Sequence, residues 1–294
     1  MGRLAKGHGM AGTGNLEHWE DLASFHGTGN DRYYNIPALV SGTMTFRPIE
    51  QAAVDLATDG RGVRGLSVAH VQSHIGIDSV HLARQGAKVT AFDFSPVALH
   101  RLRELVALCS VEVRTVVADS QEIELPAFEK WHGEFDVVYA TVGVISWIAD
   151  LEAWMRGAFA LLKPGGRLVL LELHPLLCMP ETLDPLVIDY PYVNDGVRHY
   201  EGTGSYANPD ADLSWSIDQY AWSIGETVNA AIAAGLQIVR LDEHVEAPFD
   251  PRGTLLTQEP DGMFRMRIGA GLDGALPEAL PVLFTLLAAK PPLA

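Results

Sequence analysis

The chain has 294 residues, 48% of them hydrophobic, which is enough for one large α/β domain with elaborations or for two small domains. Its 21 Lys and Arg against 37 Asp and Glu give a net charge of −16, and such a field repels nucleic-acid phosphates and anionic membrane surfaces. We therefore expect a small-molecule partner, no nucleic acid and no membrane, and no apolar run is long enough to span a bilayer.

The first segment, residues 1–15, is rich in glycine and lacks the apolar core of a secretory signal, so we expect it to be flexible. The two cysteines, Cys109 and Cys178, lie far apart and form no C-x-x-C motif. This spacing favours reduced thiols in the cytoplasm. The sequence leaves open whether the chain forms a homo-oligomer.

Residues 16–60 are predicted to be helical with turns. Trp19, Leu22 and Phe25 are spaced for one apolar helical face, and a second short helix is predicted to end near Asp59-Gly60.

The segment Val63–Ser95 predicts a strand, a tight loop, a helix stopped by a glycine, and a second strand that ends in an acid, Asp93. The strands and helix are expected at residues 66–71, 77–85 and 88–92. This order builds a nucleotide pocket, because the loop and helix start bring backbone N–H groups to one end of a ligand while the acid takes ribose hydroxyls.

The alternation continues regularly through residue 173. Ser95-Pro96 predicts an N-cap followed by Pro at the first helical position. Further strands and helices are expected at residues 96–108 (helix), 111–118 (strand), 135–141 (strand), 151–162 (helix) and 167–173 (strand). The apolar character of the last strand is typical of a strand covered on both faces.

Residues 175–222 interrupt this alternation and are rich in Pro, Gly, Asp and aromatic side chains, which indicates a long inserted cap. A capping box at Ser223–Glu226 then predicts a helix to residue 234, and strands follow at 236–243 and 282–288. We thus divide the chain into a flexible start (1–15), a helical lid (16–60), a Rossmann-like core (61–175), a cap (176–222) and the completion of the core (223–294). The predicted fold is α/β, with a doubly wound, mostly parallel seven-stranded sheet that ends in a C-terminal antiparallel hairpin strand.

This order of elements resembles the class I S-adenosylmethionine (SAM)-dependent methyltransferases over roughly residues 60–175 and 223–290. Asp93 ends the second strand, Asp119 ends the third, and a Lys163–Arg167 turn precedes the fifth. The resemblance implies SAM as cofactor and S-adenosylhomocysteine (SAH) as product. It also implies that Asp93 holds the ribose hydroxyls, that Asp119 lies beside the adenine amine, and that the N-terminal segment folds over the cofactor as a lid.

The loop after the first strand departs from the usual acid-x-G-x-G-x-G pattern. It instead has the form His-x-Gln-x-His-x-Gly-x-Asp, with His70 where the acid is expected and only Gly76 kept. A subset of small-molecule methyltransferases is similar. Gln72 and His74 adopt positive φ less readily than glycine, and the methionine carboxylate of SAM or the substrate is the nearest candidate partner for their side chains. The cofactor-binding residues implied by the resemblance are His70, Gln72, His74, Gly76, Asp93, Phe94, Ser95, Asp119, Ser120 and Thr141.

Methyl transfer from SAM is expected to proceed by in-line displacement, for which the protein mainly supplies alignment and shelter from water. Acceptor-side candidates are His174 at the end of the fifth strand, followed by Tyr33 and Tyr34 in the lid. The aromatic cap favours an aromatic or heteroaromatic metabolite, an indole among them, and specialised metabolism. The methylated atom, C, N or O, stays open.

Two other functions stay open. An NAD(P)-dependent oxidoreductase shares the strand–helix–strand start and Asp93, but it needs a G-x-G-x-x-G loop that this chain lacks. A non-catalytic SAM-binding protein is the second alternative. A metal site is not expected, because His70, His74 and Asp78 would share a face only on a helix, and His70 belongs to the strand.

Overall fold

A computed structural model describes residues 13–29, 33–183, 185–250, 255–267 and 279–293. The predicted flexible start lies largely outside these residues, and its last three belong to helix α1 (Thr13–Phe25). The segment predicted to be a helical lid contains α1 followed by α2 (Ile36–Ser41) and α3 (Pro48–Ala57). Within these described ranges, no helix is long and apolar enough to cross a membrane.

The core is a seven-stranded sheet. Its strands are β1 (Ser67–Val71), β2 (Lys88–Asp93), β3 (Val113–Val117), β4 (Phe135–Thr141), β5 (Leu162–Leu173), β10 (Gln237–His244) and β14 (Leu283–Ala289). Their order is β10-β14-β5-β4-β1-β2-β3. The first five strands pair in parallel, whereas β14 lies antiparallel between β5 and β10. This confirms the predicted sheet with its reversed C-terminal strand.

Helices cover both faces of the sheet, as the apolar strands require. They are α4 (Ile77–Arg84), α5 (Pro96–Cys109), α6 (Leu151–Leu161) and α8 (Ile224–Ala233). Alternate residues of β4 face opposite layers: Val137 packs in the cluster that holds residues of α3, and Val138 packs in the cluster that holds residues of α6 and α8. The predicted N-cap is confirmed, since the side chain of Ser95 accepts a hydrogen bond from Ala98 N at 3.0 Å.

The predicted start of the fifth strand is corrected by the structure. Strand β5 begins at Leu162 rather than Arg167, and the Lys163–Gly166 turn forms an irregularity within it. Gly165 has φ +80°, and its N–H donates to Lys290 O at 2.9 Å, which ties the turn to the end of β14.

The segment after β5 folds into a short helix and two hairpins: α7 (Pro175–Cys178), β6 (Pro180–Leu183) with β7 (Leu186–Ile188), and β8 (Arg198–Thr203) with β9 (Ser214–Gln219). Helix α1 is attached to β9, because the Asn15 amide exchanges hydrogen bonds of 2.9 and 2.8 Å with the Asp218 backbone. The lid and the cap are therefore one structural layer. A small sheet that the sequence does not predict follows β10 and precedes β14 in the chain. It is formed by β11 (Thr257–Gln258), β12 (Phe264–Arg267) and β13 (Ala279–Leu280).

Candidate functional site

A cavity of about 370 Å³, which we call the first cavity, lies at the carboxyl ends of the parallel strands, beneath the lid. This is the edge at which open α/β sheets bind ligands. Most of the sequence-predicted site residues border it: Tyr33, Tyr34, His70, Gln72, His74, Gly76, Asp93, Phe94, Asp119, Ser120 and Thr141. Ser95 and His174 do not border it.

The loop after β1 has positive φ angles at positions where glycine is usual, although it contains few glycines. Gln72 and His74 both have positive φ, +56° and +49°, and Gly76 has φ +76°. A left-handed conformation costs a non-glycine residue roughly 1–2 kcal/mol. Only Gly76 has no alternative, since a Cβ there would lie 2.3 Å from Cδ1 of the buried Leu102. Packing against α5 thus explains which glycine of the usual pattern remains.

The side chains of Gln72 and His70 are held by the protein. The Gln72 amide accepts a hydrogen bond from Trp154 Nε1 at 2.7 Å and donates to Val144 O at 3.1 Å, which joins the loop to α6 and to the turn after β4. His70 Nδ1 lies 2.8 Å from Ser79 Oγ. Burial lowers the pKa of His70 to about 4, so its imidazole is neutral at pH 7.

His74 joins the loop to the lid and the cap. Its Nε2 lies 2.8 Å from Nδ1 of His26 in the lid, and His26 Nε2 lies 2.8 Å from Oγ of Ser205 in the cap. The Trp19 ring packs edge-on against His74, with centroids 5.1 Å apart. Burial lowers the pKa of His74 to about 3, and burial with repulsion from His74 lowers that of His26 to about 2. Both imidazoles are therefore neutral and share one donated proton between them.

Asp93 is held at the end of β2 by backbone groups. One carboxylate oxygen accepts from His74 N at 2.8 Å and the other from Ser95 N at 2.9 Å. Burial raises the pKa of this carboxyl to about 6 against those stabilising bonds. Asp119 follows β3 and accepts from Gln121 N at 2.9 Å. The two acids border the same end of the cavity, at neighbouring strands.

The opposite part of the cavity contains charged residues that sequence analysis did not select: Arg47, Glu50, Asp78 and His81. The Arg47 guanidinium donates to Glu50 Oε1 at 2.9 Å and lies 4.8 Å from the centre of the Tyr33 ring. Burial, followed by repulsion from Asp78, raises the pKa of Glu50 to about 7. The Arg47–Pro48–Ile49–Glu50 sequence signals a helix start, but nothing local shows that it faces a site.

Asp78 is the anchor of this charged group. Its Oδ2 accepts hydrogen bonds from Thr141 Oγ1 at 2.8 Å and Tyr139 Oη at 3.0 Å, which ties the start of α4 to the end of β4. His70, His74 and Asp78 thus have separate partners. Among the residues that the structure describes, no group of three His, Cys, Asp or Glu could hold a metal ion.

The acceptor-side candidates separate in the structure. Tyr33 and Tyr34 border the first cavity, and Tyr34 Oη is hydrogen-bonded to Tyr206 Oη of the cap. His174 is the N-cap of α7: its Nδ1 accepts from Leu176 N at 3.1 Å, and its Nε2 lies 2.8 Å from Glu243 Oε1. Both of its ring nitrogens are engaged, so the structure does not bring it together with the tyrosines.

A second cavity of about 430 Å³ lies between the cap and the turn after β4. Its walls include most of the cap aromatics singled out in the sequence: Tyr190, Tyr200, Trp215, Tyr220 and Trp222. Ser146, Leu173 and Gln219 border both cavities, which are therefore adjacent.

A family model described as a methyltransferase domain matches residues 70–168. The ubiquinone biosynthesis O-methyltransferase of Pseudomonas paraeruginosa is 31% identical over 130 residues, which cover 42% of this chain and 53% of that protein. The chain thus spans about half the length of the curated relatives it matches. An S-adenosylmethionine-dependent methyltransferase from Mesorhizobium loti has a similar fold, with a TM-score of 0.54 at 20% identity over 83% of this chain and 96% of that one.

The matched segment contains the loop after β1, Asp93 and Asp119, and the strand order is that of the methyltransferase fold. These similarities support the resemblance to the class I SAM-dependent methyltransferases that the sequence indicates. A further structure with this fold is 1,6-didemethyltoxoflavin-N1-methyltransferase of Burkholderia thailandensis, with bound substrate and SAH, at a TM-score of 0.51 and 16% identity over 98% of this chain and 93% of that one. The first cavity lies beside the loop after β1, Asp93 and Asp119 of the matched segment.

Proposed function

We propose that this methyltransferase transfers a methyl group from SAM to a small aromatic or heteroaromatic metabolite by in-line displacement. The observation that carries the proposal is the first cavity, which is bordered by the buried Asp93 carboxylate, the Asp119 carboxylate and the loop after β1. We place the reaction in specialised metabolism in the cytoplasm as part of the same proposal.

The side chains of the first cavity fit SAM. Asp93 supplies the acceptor that a ribose diol needs, and Asp119 with Ser120 supplies polar groups for an adenine edge. The buried Ser73 Oγ of the loop and the buried His81 Nε2 have no hydrogen-bond partner in the described part of the chain. Buried polar atoms of this kind call for a ligand or water. Arg47 is the cation suited to a methionine carboxylate, while Glu50 and Asp78 suit its ammonium group.

When bound, SAM supplies an electrophilic methyl group. The chain's own part is to align the acceptor and to exclude water, and alignment alone is worth about 7–11 kcal/mol in favourable cases. The lid performs the exclusion, because α1 closes over the cavity and is tied to it through His26 and His74. Tyr33 and Tyr34 are the candidates for a hydrogen bond to the acceptor, and His70, Gln72 and Gly76 shape the loop that faces the cofactor.

The aromatic acceptor is supported by the second cavity, since its aromatic walls suit a planar apolar body. The names of the relatives agree with a small-molecule acceptor: the Pseudomonas protein acts in ubiquinone biosynthesis, and the Burkholderia protein holds a heteroaromatic substrate. An indole-type acceptor belongs to this class. The structure of the methylated product would distinguish C-, N- and O-methylation.

Calorimetric titration tests the proposal first. We expect the purified chain to bind SAH and SAM, and to ignore NAD. Incubation with methyl-labelled ¹³C-SAM and fractionated metabolites should then give a new methyl resonance, whose chemical shift identifies the methylated atom. NAD binding in preference to SAH would favour the oxidoreductase, and SAH binding with no methyl transfer to any fraction would favour the non-catalytic binder.

A further inference from the structure

Hydrogen bonds hold two aromatic side chains in the wall of the second cavity. Trp215 Nε1 donates to Gly204 O at 3.2 Å, and Trp222 Nε1 donates to Ile148 O at 2.9 Å. Gly202 lies opposite Trp215 in the β8–β9 pair, and a Cβ there would lie 2.4 Å from the Trp215 ring. The absence of a side chain at Gly202 therefore leaves room for the Trp215 ring, which forms part of the cavity wall.

The charges around this cavity have one sign. The carboxylate residues that border it are Glu172, Glu181, Asp189 and Glu201, and none of the described residues bordering it is Lys, Arg or His. Glu172 is used internally, because its carboxylate accepts from the backbone N–H groups of Val144 and Ile145 at 2.6 and 2.9 Å. The other three are exposed at the rim, and Glu201 Oε1 lies 3.8 Å from His199 Nε2.

Two basic residues lie near the rim, and each is also paired with a carboxylate that does not border the cavity. The Arg198 side chain is paired with Asp195 at 2.7 Å, and His199 Nδ1 lies 3.0 Å from Asp218 Oδ1. The Arg198 guanidinium also lies 5.8 Å from the centre of the Tyr190 ring, so this ring already contacts one cation. The Tyr190 hydroxyl is occluded and has no hydrogen-bond partner within the described residues, which leaves a donor unused at the cavity.

Aromatic faces and carboxylates together select a particular ligand charge. A cation over an aromatic ring is attracted by the ring quadrupole, and carboxylates at the rim attract the same charge. An anion would meet repulsion from the rim and from the net charge of −16, with no Lys, Arg or His among the described residues that border the cavity. Since the cavities share Ser146, Leu173 and Gln219, a molecule seated in the second one reaches the edge of the first.

We propose that the second cavity binds the methyl acceptor and selects a cationic, amine-bearing molecule with an aromatic body. This inference rests on the proposed methyltransferase function and specifies its substrate class. The cap thus acts as the specificity element of the enzyme, and the first cavity as the cofactor site.

Two probes with one ring system and opposite charge test the selection. Tryptamine and indole-3-propionic acid are titrated into the full chain saturated with SAH. We expect tryptamine to bind at least about tenfold more tightly, which corresponds to about 1.4 kcal/mol. Equal affinities, a preference for the acid, or no binding of either probe would overturn the inference. The preceding SAH titration separates the two levels, because only its failure counts against the methyltransferase function.

Matched variants locate the effect. Glu181→Gln with Glu201→Gln neutralises two rim carboxylates, and Asp210→Asn with Asp212→Asn neutralises two exposed cap carboxylates that do not border the cavity. The first pair should lose most of the preference for tryptamine, while the second pair should keep it. Tyr190→Leu should weaken tryptamine binding several-fold, and Tyr190→Phe should retain it because the aromatic face remains. Unchanged SAH affinity shows that each variant is folded, and equal effects of both carboxylate pairs would contradict the assignment.

Discussion

The two ends of the first cavity are built differently. At the core end, defined by Asp93 and Asp119, carboxylates are held by backbone N–H groups 2 or 19 residues away. At the lid end, defined by His74, Arg47, Glu50 and Asp78, most contacts join side chains, and the His26–His74 and His26–Ser205 contacts that attach it to the lid and the cap span 48 and 179 residues. Chemistry at the core end is therefore fixed by one supersecondary unit, whereas the lid end exists only after distant segments have packed together.

Asp93→Ala should give the largest effect and tests the core end. The change leaves the N–H groups of His74 and Ser95 without their partner, at about 1–3 kcal/mol for each buried group. SAH binding should weaken by at least about 1.5–3 kcal/mol, typical of hydrogen bonds to charged groups. Urea unfolding and calorimetry measure the two losses. Asp119→Ala is the control and should cost less, because its carboxylate holds one loop; SAH binding by Asp93→Ala within error of the wild type would remove the ribose role.

Gly76→Ala tests whether packing, rather than cofactor approach, keeps this glycine. The new Cβ would meet the buried Leu102 at 2.3 Å in a backbone with φ +76°, so we expect a loss of about 2–4 kcal/mol of folding free energy from overpacking and left-handed strain. Gly133→Ala is matched in φ, +72°, with nothing within 4 Å, and should show the strain alone. Equal losses in urea unfolding of the two variants would contradict the packing explanation.

The core end of the first cavity could be predicted from the sequence better than the lid end. Asp93 could be predicted because strand, loop, helix and acid are contiguous, and each has its own local signal. Gln72 and His74 were recognised as residues in glycine positions, and the structure places both at positive φ, but the partners of their side chains could not be derived. Trp154 and His26 are 82 and 48 residues from them, and no periodicity relates such positions.

The cap shows a second limit. The sequence predicts from its aromatic residues only that the cap suits an aromatic metabolite, and the structure contains a cavity lined by most of them. The hairpins that arrange these rings were not predicted, because strands as short as β6 and β7 carry little alternation. The place of His174 at the end of β5 makes it a candidate, but no local pattern indicates Glu243, its partner on β10.

The pH dependence of stability tests the lid end. His26 and His74 have pKa values lowered to about 2 and 3 in the folded protein, while an unfolded histidine titrates near 6.5. Below pH 6.5 the unfolded chain therefore binds protons that the folded chain excludes, and stability falls by about 1.4 kcal/mol per pH unit for each imidazole. Glu50 and Asp93 act in the opposite sense, because their raised pKa values let the folded state take up protons first.

A variant comparison separates these contributions. The stability advantage of the wild type over the double variant His26→Gln with His74→Asn should shrink by about 2 kcal/mol per histidine between pH 6.5 and about 5 in urea unfolding. His199→Gln is the control of opposite sign, because Asp218 raises the pKa of this exposed imidazole and the wild-type advantage should grow slightly as pH falls. A pH-independent difference for the double variant would show that the lid histidines are not buried as neutral partners.

The smallest expected effects concern the hydrogen bond to the methyl acceptor, and they test whether the lid or the end of β5 supplies it. Tyr33 borders the first cavity from the lid, so Tyr33→Phe should lower turnover by the loss of one hydrogen bond, about 0.5–1.5 kcal/mol or roughly two- to tenfold. His174→Asn keeps a side chain that caps α7 and removes only the contact with Glu243, so turnover should stay unchanged while stability falls slightly. Both are measured as methyl transfer from labelled SAM to the acceptor found by the isotope experiment. The reverse result would mean that β5 rather than the lid approaches the acceptor, because His174 could act only after its ring had left both of its present partners.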